Sequence, residues 1–250
     1  MRKNRPAAVR AYWWRGRPNF GDAIAPLLIE RFTDYPAAWE RVGKADVVSV
    51  GSVLEHVPYL YDGYILGSGR LHPDSQLNLW CNTMTVLALR GPLTAQAWPR
   101  DCAIGDPGLL ANELVPPQTK TVDLGIVPHW SDPDLRYRRE FFSPRWSTKV
   151  INPSDDPLEV IAAIGQCRKI VSSSLHGIIL ADAFGIPRRF EYTSGFDLEG
   201  GRFKFEDYSA SIGMSLTLGE TKRANYQTVG IRKHELWDSY RTLNSLLRPR

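Results

Sequence analysis

The chain is poor in the residues that mark several function classes. Three cysteines, Cys81, Cys102 and Cys167, stand far apart in 250 residues, are odd in number and form no C-x-x-C pair. They offer neither a disulfide framework nor a zinc or redox motif, so three reduced thiols are expected. No apolar run approaches the roughly 20 residues that span a bilayer. The amino terminus is basic (Arg2, Lys3, Arg5, Arg10), but Tyr12, Arg15 and Arg17 break the apolar stretch behind it, so no secretory leader is expected. Residence in the cytoplasm follows as an expectation, free or peripheral at the inner face of the membrane. An excess of one charge is missing too. Lys and Arg number 31 against 27 Asp and Glu, and the basic residues read as scattered, without the stripe and interleaved aromatics of a nucleic-acid surface. Nucleic acid is not an expected partner. An anionic small substrate, or loose attraction to anionic lipid headgroups, is compatible with the balance.

What is present is core-forming material. A hydrophobic content of 43% and eight tryptophans fill one large core or two modest ones. Short apolar runs alternate with amphipathic helical patterns, the mark of parallel sheets built from βαβ units, so the fold class is α/β. In the first half strands are predicted over 8–14, 47–50, 64–66 and 86–89, and a helix over 22–32. The pattern stops around 114–120, where Pro116 and Pro117 precede a polar tetrad as in a linker. Two domains are expected, 1–115 and 116–250. The second restarts with strands over 122–127, near 149–151 and over 169–172, and helices over 158–167 and 177–184. A last helix over 234–247 is placed so that it can pack back on the first domain. Two such halves would leave a cleft at the carboxyl ends of their strands, where open α/β sheets bind ligands.

Seven segments carry candidate chemistry, and each also has an ordinary structural reading. Asn19-Phe20-Gly21-Asp22 lies between the first strand and the first helix. Its residues serve as cap and turn, or Asp22 faces the cleft as a base for a sugar hydroxyl. Gly67-Ser68-Gly69-Arg70 is a tight turn after a strand that could present Arg70 to an anion. Arg90, before Gly91-Pro92, ends a strand and opens a helix; its planar fork suits a carboxylate or phosphate, or a salt bridge. Gly105-Asp106-Pro107-Gly108 is ordinary turn chemistry or a site for Asp106. His129, after Pro128, ends the first strand of the second half. Ser172-Ser173-Ser174-Leu175-His176-Gly177 gathers hydroxyls, free backbone N–H groups and an imidazole at one helix start, an arrangement suited to a phosphate and a proton donor. Lys204, between Phe203 and Phe205, reaches the cleft or lies as a snorkelling surface side chain. Trp13, Trp14 and Trp130 could stack on sugar faces, with core packing as the alternative.

Taken together and in this order, the seven segments resemble the polysaccharide pyruvyltransferase family, most closely its short exopolysaccharide members. The similarity runs from about residue 12 to about residue 210, and no single segment is specific. The resemblance implies two Rossmann-like domains in a glycosyltransferase-B-like arrangement with an interdomain cleft, the first on the acceptor side and the second on the donor side. It implies phosphoenolpyruvate as co-substrate, a glycan acceptor with a lipid-linked oligosaccharide among the candidates, and neither metal nor other cofactor. By motif position it gives Arg90, His176 and Lys204 the donor-site roles and puts Asp22 near the acceptor. Ser173, Ser174, Arg70, Asn19, Asp106 and His129 complete the substrate-binding candidates. The chain is shorter than the long family members and has Tyr-Trp-Trp-Arg at 12–15 before the Asn-Phe-Gly-Asp turn, so acceptor choice does not carry over. The implied chemistry needs a group near neutral pKa to donate and accept protons, assigned to His176; Asp22 and His129 both stay open as the base. The alternatives are a nucleotide-sugar-dependent glycosyltransferase of the same architecture, for which no acidic ribose-binding segment is found, and a non-catalytic glycan-binding protein.

Overall fold

Short aliphatic runs build two sheets in the computed structural model, which describes residues 7–75, 83–98, 100–194 and 200–248. Cys81, Arg2, Lys3 and Arg5 lie outside the described residues. The first half contains β1 (Val9–Tyr12), α1 (Phe20–Phe32), β2 (Ala37–Trp39), β3 (Val47–Val48), β4 (Tyr64–Leu66), β5 (Thr85–Leu89), α2 (Pro92–Ala95) and β6 (Ala103–Ile104). Its strands form one sheet in the order β2-β1-β3-β4-β5-β6, with every neighbouring pair parallel. A 3-10 stretch, Pro107–Leu114, leads into β7 (Val122–Val127), β8 (Thr148–Val150), α3 (Pro157–Gly165), β9 (Cys167–Ser172), α4 (Leu175–Ala183), β10 (Arg188–Phe190), α5 (Phe203–Ser211), β11 (Thr221–Lys222) and α6 (Tyr226–Leu247). The second sheet runs β11-β10-β9-β7-β8, parallel except for β10 with β11. The chain is α/β with two mostly parallel sheets.

Parallel strands are covered on both faces, so they carry continuous apolar runs. β7 reads Val-Asp-Leu-Gly-Ile-Val and is buried over its last four residues. α4 is buried at every position and carries no polar stripe, as a helix wedged between layers must be. The largest cluster of buried apolar side chains is continuous across both halves, from Val9, Ile24 and Leu28 through Leu109 and Leu110 to Ile164, Ile179, Leu236 and Leu243. A smaller cluster around Val48, Leu54, Ile65 and Leu89 covers the other face of the first sheet. Cys102 and Cys167 are free thiols, and burial pushes both up to about 11.

Boundaries differ from the sequence pattern where capping decides them. α1 starts at Phe20, not at Asp22, because Asn19 is its cap and its side chain accepts from the Gly21 N–H. α4 starts at Leu175, two residues early, which puts His176 in its first turn. α6 starts at Tyr226 instead of 234, capped by Asn225, whose side chain accepts from the Gln227 and Thr228 N–H groups. β2, β6, β10 and β11 were not expected; each is two or three residues long, below what periodicity can register. The predicted strand 8–14 shortens to Val9–Tyr12, leaving Trp13 against the main core.

α6 lies across β4, β5, β6, α1 and the 107–114 stretch. Lys233 on it donates to Asn112 Oδ1 at 2.8 Å and to the Ala183 carbonyl, at the end of α4, at 2.9 Å. Among the described residues no helix is long and apolar enough to cross a membrane. Leu236 of α6 is fully buried. Leu236→Ala is therefore expected to cost about 2–5 kcal/mol in unfolding free energy, read from a urea titration; a loss below ~1 kcal/mol would mean that α6 is only loosely docked.

Candidate active site

In each sheet the strand order reverses once: β1 sits between β2 and β3, and β7 between β8 and β9. At such a reversal the loops leaving adjacent strands run to opposite faces and open a crevice at the carboxyl ends. Both reversals open on the same pocket, about 710 Å³ counted out to its mouth. Trp14, Asn19 and Asp22 after β1 and Gly51 and Ser52 after β3 line one wall; His129 and Trp130 after β7 and Ser174 and His176 after β9 line the other, with Lys204 of α5 between them.

The serine turn builds the second wall from within. Ser172 Oγ donates to the Val127 carbonyl at 2.7 Å and accepts from the Ser174 N–H at 2.9 Å. Ser173 Oγ accepts from the His129 N–H at 2.8 Å. Strand ends β7 and β9 are thus tied together, and Ser174 becomes the cap position of α4 without a side-chain capping bond. The first-turn N–H groups of α4 consequently present the positive end of the helix to the pocket.

His176 is about 7% exposed and packs face to edge against Phe20. Gly21 makes room for it, since a Cβ there would stand 2.1 Å from His176 Nδ1. Its Nε2 is buried with no hydrogen-bond partner and lies 3.9 Å from Asp106 Oδ1; Asp106 Oδ2 is likewise buried and unbonded. Burial, then the charges of Arg90 and Lys204, holds the imidazole down to about 3. Burial and Lys204 also hold His129 down to about 3. Burial pushes Asp106 up to about 6, against the Gly108 N–H and Arg90, which favour its ionised form. The near-neutral imidazole expected of His176 is not what the protein alone sets up: both histidines are neutral, and the pocket's cationic charge rests on Lys204. His129 Nδ1 bonds Ser131 Oγ at 2.7 Å and accepts from the Ser131 N–H at 3.3 Å.

The other candidates divide. Asn19 and Asp22 stay together on the wall, with Asn19 Nδ2 donating to Asp22 Oδ2 at 2.7 Å. Trp14 and Trp130, from opposite halves, stack at the mouth with centroids 6.3 Å apart and planes 25° apart, and the Arg17 guanidinium lies 4.8 Å over Trp130. Arg90 is fully buried beneath the wall: Nε donates to Asp207 at 3.0 Å, Nη1 to Ser52 Oγ at 2.5 Å and Nη2 to the Arg70 carbonyl at 2.6 Å. Gly69 is needed there, because a Cβ would stand 2.2 Å from the guanidinium carbon. The Arg70 guanidinium does not line the pocket; it donates to the Pro73 and Leu93 carbonyls and lies over Phe203. Ser173 and Asp106 stand behind the wall.

Sequence reasoning missed Asp207 and Ser52. Ser52 had a usable signal, since Gly51-Ser52 follows β3 as Gly67-Ser68 follows β4. Asp207 had none: its partners Arg90 and Thr94 are more than a hundred residues away.

Residues 86–190, from β5 to β10, match the family model described as Polysaccharide pyruvyl transferase. The family segment holds Arg90, Asp106, His129, the serine turn and His176, whereas Asp22 and Lys204 come from outside it. Among curated relatives, the Succinoglycan biosynthesis protein ExoV of Rhizobium meliloti (strain 1021) is 29% identical over 218 residues, covering 83% of this chain and 66% of its own. The Uncharacterized protein L143 of Acanthamoeba polyphaga mimivirus is 29% identical over 159 residues, 60% of this chain and 55% of that protein. The chain thus spans between half and two thirds of these relatives. Among solved structures, the functional uncharacterized protein KP1_0663 of Klebsiella pneumoniae subsp. pneumoniae NTUH-K2044 aligns with a TM-score of 0.46 at 14% identity, covering 78% of this chain and 88% of that one.

Two outcomes test the geometry. Removing one partner of the Arg90–Asp207 pair, as in Asp207→Leu, should cost about 3–5 kcal/mol because it strands a buried charge, and Arg90→Met in the same chain should recover part of that loss; strictly additive losses in denaturant titrations would show the two are not coupled. The histidines set a pH dependence. Their folded pKa lies below the ordinary value, so the stability of the neutral rings is complete above about 6.5 and is lost as pH falls towards 3. Asp106, raised to about 6, contributes the other way, losing stability as pH rises from about 3.8 through 6. Melting temperature is expected to fall between pH 6.5 and 4, and to fall less in a His129→Gln, His176→Gln variant.

Proposed function

We propose that the chain is a ketal pyruvyltransferase that moves the enolpyruvyl group of phosphoenolpyruvate onto two hydroxyls of a glycan hexose and releases phosphate, in exopolysaccharide or cell-surface glycan synthesis. The observation that carries this reading is the meeting, in one pocket, of Lys204, the uncapped start of α4 and the neutral His176, with Asp22 opposite. The family match over residues 86–190 and the relative named for succinoglycan biosynthesis support it.

Phosphoenolpyruvate carries a phosphate and a carboxylate, and the pocket offers two kinds of fixed donor for them, the Lys204 ammonium and the first-turn N–H groups of α4. Arg90 acts from below: its charge lies near enough to disfavour protonation of His176, and its bond to Ser52 fixes the opposite wall. An arriving anion offsets the Lys204 and Arg90 charges and attracts a proton against the burial that keeps the imidazole neutral, and His176 takes up a proton as donor binds. It then protonates the methylene carbon while a sugar hydroxyl attacks the adjacent carbon. The C–O bond to phosphate breaks, and a second hydroxyl closes the ring. Two hydroxyl protons are lost by the sugar; one is balanced at the new methyl and the other by the released phosphate. Asp22, held by Asn19, is the base on the acceptor side. Asp106 is a positioning residue that faces the buried edge of the ring. The Trp14–Trp130 pair at the mouth supplies apolar faces for a sugar ring.

Calorimetric titration separates donors. Phosphoenolpyruvate is expected to bind with net proton uptake, visible as a heat that changes with the buffer's ionisation enthalpy, and about tenfold or more weaker in Lys204→Ala. Uridine and guanosine nucleotide sugars should be silent; a nucleotide sugar binding in preference would overturn the reading. In His176→Ala donor binding should survive while turnover drops about 10²–10⁴-fold, and near-normal product formation would remove His176 from the mechanism.

A further inference from the structure

The crossover from β7 to β8 lacks the α-helix that usually covers a parallel pair. Residues 133–150 make two short 3-10 turns instead, Pro133–Tyr137 and Arg139–Phe141, which bury Leu135 and Phe141 against Leu124, Ile126 and Val171. The same segment turns Tyr137, Phe142 and Trp146 outward, with exposures of 70%, 47% and 42%. A shallow groove of about 590 Å³ lies among Phe142, Pro144 and Trp146.

Charge collects on this surface. Residues 133–150 hold five basic side chains, Arg136, Arg138, Arg139, Arg145 and Lys149, against Asp134 and Glu140. The excess of three accounts for most of the chain's net +4, so the even scatter of charge read along the sequence does not hold here. Arg138 is tied to Glu140 and Glu191. Arg139, Arg145 and Lys149 form no ion pair among the described residues and are exposed. Exposed aromatics interleaved with unpaired basic groups, on a segment without a stable helix of its own, match the headgroup layer of a bilayer: rings insert at the boundary and cations meet phosphates.

We propose that residues 133–150 dock the protein on an anionic lipid bilayer. The segment leaves the pocket wall directly, with Trp130 three residues before Pro133, so docking sets the pocket mouth close to the membrane plane. The inference rests on surface chemistry alone and stands whether or not phosphoenolpyruvate is the donor.

Co-sedimentation of the full chain with vesicles tests it. Binding is expected to vesicles containing about a third phosphatidylglycerol, not to phosphatidylcholine alone, and to weaken steeply as salt rises from roughly 0.1 to 0.5 M. Arg139→Gln with Arg145→Gln should lower partitioning about 25-fold, at about fivefold per charge. Tyr137→Ser with Phe142→Ser should lower it independently. Both variants are expected to keep the wild-type melting temperature and calorimetric donor titration. Equal binding to neutral and anionic vesicles, no binding to either, unchanged partitioning of the arginine variant, or self-association of the chain through this face in place of vesicle binding would each overturn the proposal.

Discussion

The Arg90–Asp207 ion pair is the constraint on which the pocket depends. Both side chains are fully buried, where an unpaired charge costs several kcal/mol, so each must be saturated. Arg90 achieves this with a carboxylate, a hydroxyl and a carbonyl, drawn from α5, the loop after β3 and the loop after β4. Asp207 does so with Arg90 and with both the N–H and the hydroxyl of Thr94 in α2. A single pair therefore fixes the strand ends of the first sheet against a helix of the second half. Lys204 lies three residues before Asp207, on the same face of α5, so the pocket's ammonium inherits its position from this buried contact.

The electrostatics of the pocket follow from that fixation. Burial first, then the charge of Lys204 and, for His176, that of Arg90, keeps both imidazoles unprotonated. One buried ammonium lining the pocket and one guanidinium underneath give the pocket a positive field. Asp22 stands on the far wall, held by Asn19. Asp22 stands in α1 and Lys204 in α5, so the acidic and cationic features of the pocket come from different halves of the chain.

Much of this was legible in the sequence. The apolar runs of β7 and α4 pointed to the fold class, because parallel strands and sandwiched helices are covered on both faces. Asn19, Asp22, His129, Ser174 and His176 line one pocket because they end strands or begin helices, where loops gather, whereas Lys204 stood out in the sequence only by its place between two aromatics. The short strands β2, β6, β10 and β11 carry too little periodicity to register, and the early start of α6 depends on one asparagine cap. Arg90 shows the deeper limit: a strand-end arginine reads the same whether it meets a ligand or an aspartate 117 residues on, and only packing reveals the partner. The pKa of His176 was equally out of reach, since residue type alone fixes neither its burial nor the neighbours that discharge it.

α6 has a consequence for how the molecule is made. It covers β4, β5, β6 and α1, yet it is synthesised after the whole second sheet. Until residues 226–247 emerge, the first sheet lacks the side chains of Leu236, Tyr240 and Leu243 that complete the shared core, and the apolar surface beneath them is open to water or to other chains. The first half, although it leaves the ribosome first, cannot finish folding first. A nascent chain arrested before Tyr226 would therefore be a substrate for chaperones and proteases.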